Sequence, residues 1–339
     1  MALEQLPWKW LNRLLRPRWD WIQVEVTTCC NAACLYCPRT VYRDLWPDRH
    51  LPLETYKKLL PAFSHTPLVH LQGWGEPLLN PDFFTMAALA KEAGCRVGTT
   101  TNGMLLDVPR MERLVELGVE VVAFSLAGAD EKNDHFRPGT SLEKVLAAME
   151  SLQQMKERHG RAQPEIHLAF MLLRSGLPDL GRLPGLLEGL CVSQVVISTL
   201  DFVASGELAL EVLRPGTPEE YQEMEAGLQA VAAEGEKRGL KFHYQLPYPG
   251  RTRQACPENP TRGLVVAADG GVSPCVFLNL PGGTTHFTWG QELPYQPLSF
   301  GNVNVRSLED IWSSKDYTAF RRNFKNRKIP SFCLHCQKI

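Results

Sequence analysis

The sequence predicts an α/β protein: a partial (β/α)6 TIM-like barrel followed by a small C-terminal domain. Three observations predict it. From Trp21 short apolar runs alternate with amphipathic helical patterns, as in a parallel sheet joined by right-handed crossovers. After Gly250 that alternation stops, and a hairpin-like, Pro/Gly-rich stretch begins. The ten cysteines are unevenly placed, four between 29 and 37 and four in the last 84 residues.

Each element follows from local pattern. Residues 1–20 form a basic, Trp-rich lead with Leu11, Leu14 and Leu15 at helical spacing, expected to be a short helix covering an open edge of the barrel. Strands are expected at Ile22–Val26, Leu68–Gln72, Arg96–Thr100, Val119–Ser125, Glu165–Met171 and Gln194–Ser198. Helical patterns lie between them near 53–62, 82–93, 109–117, 141–158 and 177–190. Gly94, Gly118 and Gly160 punctuate helix ends, and Pro81 and Pro109 sit where first turns accept proline. Six such units are too few for an eight-stranded barrel, so the barrel over 21–205 is partial, with its chemistry at the C-terminal ends of the strands. A helix near 217–238, opened by Thr217 and Pro218, makes 206–250 a connecting helix and linker. The domain 251–339 opens on LVVAADGGVSPCVFL, a hairpin with an Asp-Gly turn, and closes on two short helices around 307–324.

Composition excludes several classes. The 339 residues carry 36 Lys+Arg against 37 Asp+Glu, a formal net charge of -1, which argues against bulk electrostatic binding of nucleic acid. No run approaches the roughly 18 apolar residues of a membrane span. The N-terminus lacks the apolar stretch and cleavage site of a secretory signal. A cytoplasmic, reducing setting is therefore expected, in which clustered cysteines read as metal thiolates rather than disulfides.

The most specific feature is Cys30-Asn-Ala-Ala-Cys34-Leu-Tyr36-Cys37, directly after the first strand. Three thiolates spaced four and three residues apart can converge on one metal centre. Three cysteines on a four-iron cluster leave one iron open, whereas electron-transfer clusters use four. A zinc site would need a fourth ligand and favours paired motifs.

This loop resembles the signature of the radical S-adenosylmethionine superfamily, Cys-x3-Cys-x-aromatic-Cys. The resemblance implies a 4Fe-4S cluster on Cys30, Cys34 and Cys37 whose open iron is chelated by S-adenosylmethionine, with Tyr36 close to the adenine. Reduction of that cluster yields a 5′-deoxyadenosyl radical. Gly73-Trp74-Gly75-Glu76-Pro77 is similar to the superfamily's Gly-Gly-Glu-Pro segment, with Trp74 in place of the first glycine. Glycines allow close backbone approach, and the cofactor's ammonium wants a carboxylate, which points to Glu76. By the same resemblance Ser125 contacts the cofactor and Thr100 or Asn102 lines its site, although turn chemistry accounts for such residues too. Arg137, in a segment resembling the superfamily's Arg-Pro-Gly, and Arg174, after the fifth strand, are candidates to meet a carboxylate of cofactor or substrate, a structural ion pair being the alternative for Arg137. Cys29 breaks the motif's spacing, and Cys95 and Cys191 read as small buried hydrophobes.

Cys256, Cys275, Cys333 and Cys336 have 18, 57 and 2 residues between them. Four thiolates suit a fully ligated four-iron cluster or a tetrahedral zinc ion, and the spacing does not choose. The segments Leu264–Cys275, Phe300–Val303, Asp310–Trp312 and Phe332–Cys336 resemble the SPASM/Twitch extension of radical S-adenosylmethionine enzymes. With three residues after Cys336, the resemblance implies one auxiliary 4Fe-4S cluster, with His335 a spectator.

The expected function is therefore reductive cleavage of S-adenosylmethionine and hydrogen abstraction from a peptide or protein undergoing maturation. A small-molecule dehydrogenase of the amino-sugar type is the alternative; a non-catalytic iron–sulfur or zinc scaffold is the alternative of another class. An external one-electron donor such as flavodoxin or ferredoxin is the implied partner, beside the peptide, protein or small-molecule substrate.

Overall fold

All six expected strands form, because each is a short β-branched or apolar run that buries one face under a helix. In the computed structural model they are β1 (Trp21–Val24), β2 (Leu68–Leu71), β3 (Arg96–Thr101), β4 (Val121–Leu126), β5 (Glu165–Met171) and β6 (Val192–Ser198). The structure describes residues 18–250, 256–288, 290–330, 333, 336 and 338; most of the lead, with Leu11, Leu14 and Leu15, and also His335 lie outside the described residues. Neighbouring strands pair in parallel in sequence order, for example Val24 against Leu71 and Ala169 against Val196.

Alternation sorts the side chains by face. Val24, Leu71, Val97, Phe124, Leu168 and Val195 are buried in the main core beneath the crossover helices. Those helices include Phe83–Glu92, Val108–Glu116 and Leu142–Arg158. Asp107 caps the second by accepting the Arg110 N–H, and Ser141 caps the third through Lys144 N–H. Gly94 and Gly118 follow the first two helices with φ of 82° and 60°, the left-handed geometry that ends a helix.

The connecting segment 206–250 needs correction. Its helix forms over Pro218–Glu236, capped by Thr217, but it then contributes β7 (Lys241–Tyr244), parallel to β6. The parallel sheet thus continues one strand beyond the six of the expected partial barrel. Lys-Phe-His-Tyr gave little warning: it is four residues long and has no Val or Ile. Two expected helices are also shorter. The 53–62 pattern divides into Leu53–Lys57 and Leu60–Phe63, with a proline in the first turn of the second. The 177–190 pattern becomes a 3-10 stretch, Arg174–Arg182, followed by Leu183–Leu186, because Pro178 and Pro184 interrupt α-helical hydrogen bonding.

The C-terminal domain joins the same sheet. β8 (Gly263–Val266) runs parallel to β1 over its full length, and β9 (Val272–Ser273) closes the expected hairpin antiparallel to β8. The strand order is β7-β6-β5-β4-β3-β2-β1-β8-β9, so the sheet is open, with edges at β7 and β9. Gly263 is required at the seam: a Cβ there would lie 2.4 Å from the Trp21 ring. A second hairpin, β10 (Thr285–Thr288) and β11 (Gln291–Pro294), follows within the Pro/Gly-rich stretch. Helices Leu308–Ser313 and Lys315–Lys325 complete the domain.

Candidate active site and auxiliary metal centre

The C-terminal ends of β2 to β6 surround a cavity of about 370 Å³. Cys30, Cys34 and Cys37 line one side of it, on the loop that follows β1. Two backbone bonds from the segment 136–138 hold this loop: Ala33 N–H donates to Pro138 O at 2.8 Å and Leu35 N–H to Phe136 O at 2.9 Å. Gly139 presses on it from the same segment, with φ of 88° and its backbone so close that a Cβ would stand 2.7 Å from Asn31 O.

Opposite lies the loop Gly73–Glu76. Glu76 is 2% exposed. Its carboxylate accepts the Thr101 hydroxyl at 2.8 Å, the Asn102 N–H at 2.8 Å and the Leu78 N–H at 3.3 Å. Burial raises its pKa above the usual carboxylate value against those donors. Gly75 is needed because a Cβ would lie 2.4 Å from Cys29 O, and the Glu76 N–H donates to the same carbonyl at 2.8 Å. The glutamate loop and the cysteine loop are thereby locked together.

Thr100 donates to Gln72 Oε1 at 2.5 Å, and Asn102 Nδ2 donates to Asn31 Oδ1 at 2.8 Å. Arg137 is 4% exposed and donates to the Tyr36 hydroxyl at 2.9 Å. Its Nε and the Trp74 indole Nε1 are buried with no hydrogen-bond partner. Two orphaned donors on one cavity are costly unless an acceptor-rich guest occupies it. Tyr36, Glu76, Thr100, Asn102, Ser125 and Arg137 all line this cavity. Arg174 is not brought to it: its guanidinium donates to the backbone carbonyls of Val212 and Arg214, beside a separate cavity.

Sequence reasoning missed Arg39 and Gln72. Arg39, 9% exposed, lines the cavity beside the cysteines, its Nε donating to Thr28 O and its Nη2 to Asp48 at 2.6 Å. Its signal was a cation two residues after Cys37. Gln72 could have been found as the last residue of the expected second strand.

A second cavity, of about 230 Å³, is lined by Cys256, Cys275, Cys333 and Cys336 together. Phe202, Phe277 and Tyr295 wall it, and Lys338 bridges Asp201 at 3.1 Å and Glu258 at 2.6 Å at its margin. Burial pushes the Cys256 and Cys333 thiols up to about 12, and raises Cys30 and Cys37 in the first cavity likewise, Cys37 to about 12. Thiolates in such surroundings need bound cationic metal to be stable. Among the described residues, no three His, Cys, Asp or Glu side chains converge tightly enough for a single metal ion. Each cysteine set faces its own cavity, three thiols on the first and four on the second, donor sets that fit iron–sulfur clusters.

Comparison with known proteins agrees with this chemistry. The family model described as the radical SAM superfamily matches residues 24–159, and that described as an iron-sulfur cluster-binding domain matches residues 256–337. The chain is 28% identical over 337 residues to a tungsten-containing aldehyde ferredoxin oxidoreductase cofactor-modifying protein of Pyrococcus furiosus, spanning 93% of this chain and 86% of that one. It is 26% identical over 325 residues to a PqqA peptide cyclase of Ruegeria pomeroyi, spanning 93% and 79%. The crystal structure of Streptococcus suis SuiB bound to S-adenosylmethionine shares the fold, with a TM-score of 0.67 at 15% identity over 94% of this chain and 70% of that one.

Proposed function

We propose, from the premise that this chain belongs to the radical S-adenosylmethionine superfamily and carries an iron–sulfur cluster-binding domain, that it modifies a peptide or protein side chain. When bound, S-adenosylmethionine and its 4Fe-4S cluster supply a 5′-deoxyadenosyl radical that abstracts hydrogen. Cys30, Cys34 and Cys37 would hold that cluster. Glu76, its carboxylate oriented by Thr101 and Asn102, would receive the cofactor's ammonium group. Arg137, steadied by Tyr36, and Ser125 would bind its remaining polar groups. Met171 and Ser198, on the far side of the same cavity, would face the substrate. Cys256, Cys275, Cys333 and Cys336 would fully ligate an auxiliary 4Fe-4S cluster, an arrangement suited to electron transfer rather than to binding substrate on iron. A flavodoxin- or ferredoxin-like donor would deliver the reducing electron.

One observation carries the peptide reading. A groove of about 420 Å³ runs along β6 and the edge strand β7. It shares Ser198 with the first cavity, and Asp201 and Lys338 with the second. An extended chain lying there would leave by solvent at one end and present a side chain to the reacting cavity at the other. The PqqA peptide cyclase relative supports the same class. Modification of a cofactor is the second reading, favoured by the name of the Pyrococcus relative.

The test is anaerobic. The reconstituted protein, reduced with dithionite and given S-adenosylmethionine, is expected to form 5′-deoxyadenosine, and Cys30→Ala to form none. Deuterium from a labelled cell extract should then reach 5′-deoxyadenosine from the macromolecular fraction. Label arriving only from the small-molecule fraction would overturn the peptide reading.

A further inference from the structure

Glu25 immediately follows β1 and is 3% exposed, yet it lines neither cysteine cavity. Its Oε1 accepts the Trp74 N–H at 3.0 Å. Its Oε2 accepts the Ala268 N–H at 3.2 Å and the Asn279 side-chain amide at 3.4 Å. One carboxylate therefore bonds the Gly73–Glu76 loop with one oxygen and the C-terminal domain with the other. The contact is close enough to dictate sequence: a Cβ on Gly73 would lie 2.3 Å from Glu25 Cγ.

Trp74 is held by its ring as well. The indole meets Phe277 edge-on at 5.9 Å and Trp46 at 5.8 Å between centroids. Phe277 stands two residues after Cys275 and lines the auxiliary cavity; Trp74 stands two residues before Glu76 and lines the other. A buried carboxylate is expensive, and an apolar residue would pack this junction at lower cost. What the carboxylate adds is a link between the two domains.

We infer that Glu25 is a positioning residue that couples the two cavities, fixing the Glu76 loop to the C-terminal domain through Trp74. The seat of the auxiliary cluster and the place of the S-adenosylmethionine-binding carboxylate are then set together. The inference rests on the proposed binding of S-adenosylmethionine in the first cavity.

Two measurements on the reconstituted full chain test it: the Kd for S-adenosylmethionine by anaerobic equilibrium binding, and amide hydrogen exchange over residues 73–76 without ligand. Glu25→Gln, which weakens a charge-assisted hydrogen bond to the Trp74 N–H, is expected to weaken binding about tenfold, and Phe277→Leu, which loses one edge-on ring contact, about threefold. Both should speed exchange of the loop, compared on preparations matched to wild type in iron content. Acting on one residue, the two should not multiply when combined. Wild-type Kd and exchange in either variant, or fully multiplicative effects, would overturn the inference. If Glu25→Gln does not load iron, Phe277→Leu decides alone. Failure of the wild type to bind S-adenosylmethionine sinks the functional reading instead, while the exchange data still judge the link.

Discussion

At the scale of single residues, Glu25 and His70 make opposite contributions to pH-dependent stability. Burial pushes Glu25 from 4.5 up to about 7. Burial, helped by the Arg96 and His167 charges, takes His70 from 6.5 down to about 4. For Glu25 the folded state keeps its proton longer, so its stabilisation is full below pH 4.5 and is lost as pH rises through 7. For His70 the unfolded state takes the proton first, so its stabilisation is full above pH 6.5 and is lost as pH falls towards 4. Each is worth about 3 kcal/mol, and between pH 4.5 and 6.5 they offset one another. Each substitution should expose the other group. Relative to wild type, Glu25→Gln is expected to make the melting temperature rise more steeply with pH across that window, and His70→Gln to make it fall. Parallel melting-temperature profiles for all three proteins would refute the pairing. A constant offset in Glu25→Gln, from the altered Trp74 link, leaves that comparison of slopes intact.

At the scale of elements, what the sequence made legible was whatever is local. The Cys30–Cys37 loop, the Gly73–Glu76 turn and the strands behind them are contiguous patterns, and they lie where their spacing implied. β7 escaped because its four residues owe their pairing to β6, far earlier in the chain, and the β10–β11 hairpin because Gln-Glu-Leu-Pro is poor in strand-favouring residues although its partner is adjacent. Arg174 was misplaced for a related reason: a cation after a strand reads as a ligand-binding group, whereas carbonyls some 40 residues away take its hydrogen bonds. The segment ending in Gly139 was legible only by resemblance, since nothing local says that it grips the cysteine loop. Its conformation makes a direct prediction. Gly139→Ala must adopt φ of 88° and thrust a methyl at Asn31 O. The left-handed geometry alone costs about 1–2 kcal/mol, and the contact adds to it. The variant should therefore reconstitute the C-terminal site normally and the Cys30 site poorly, lowering iron towards half of wild type. Iron analysis with Mössbauer spectra of both clusters checks this, and full iron in the variant would show that the loop does not depend on the grip.

At the scale of the molecule, the motif-based division into barrel and C-terminal domain is not a division of the core. Val24 and Val69 of the barrel belong to the same buried cluster as Leu264, Val266, Leu308 and Trp312. The Trp19 ring meets Trp312 edge-on at 5.7 Å, and Asp20 and Arg262 pair at 2.7 Å across the same junction. Between them β8 satisfies one whole edge of β1, while Glu25 draws its backbone N–H to Val266 O at 2.8 Å. Removing the C-terminal domain would strip those partners at once, exposing an apolar parallel edge strand and a buried carboxylate with only Trp74 left to bond it. Parallel strands of this kind are stable only when covered. A chain ending at residue 250 is accordingly expected to aggregate or to lack a cooperative thermal transition, even though it retains all three cysteines of the motif. The full chain, loaded with both clusters, should melt in one step by circular dichroism at wavelengths reporting helix and cluster alike. Two separated transitions, or a soluble fragment 1–250 that melts cooperatively, would show that the barrel holds itself together and that the shared sheet only docks the second domain.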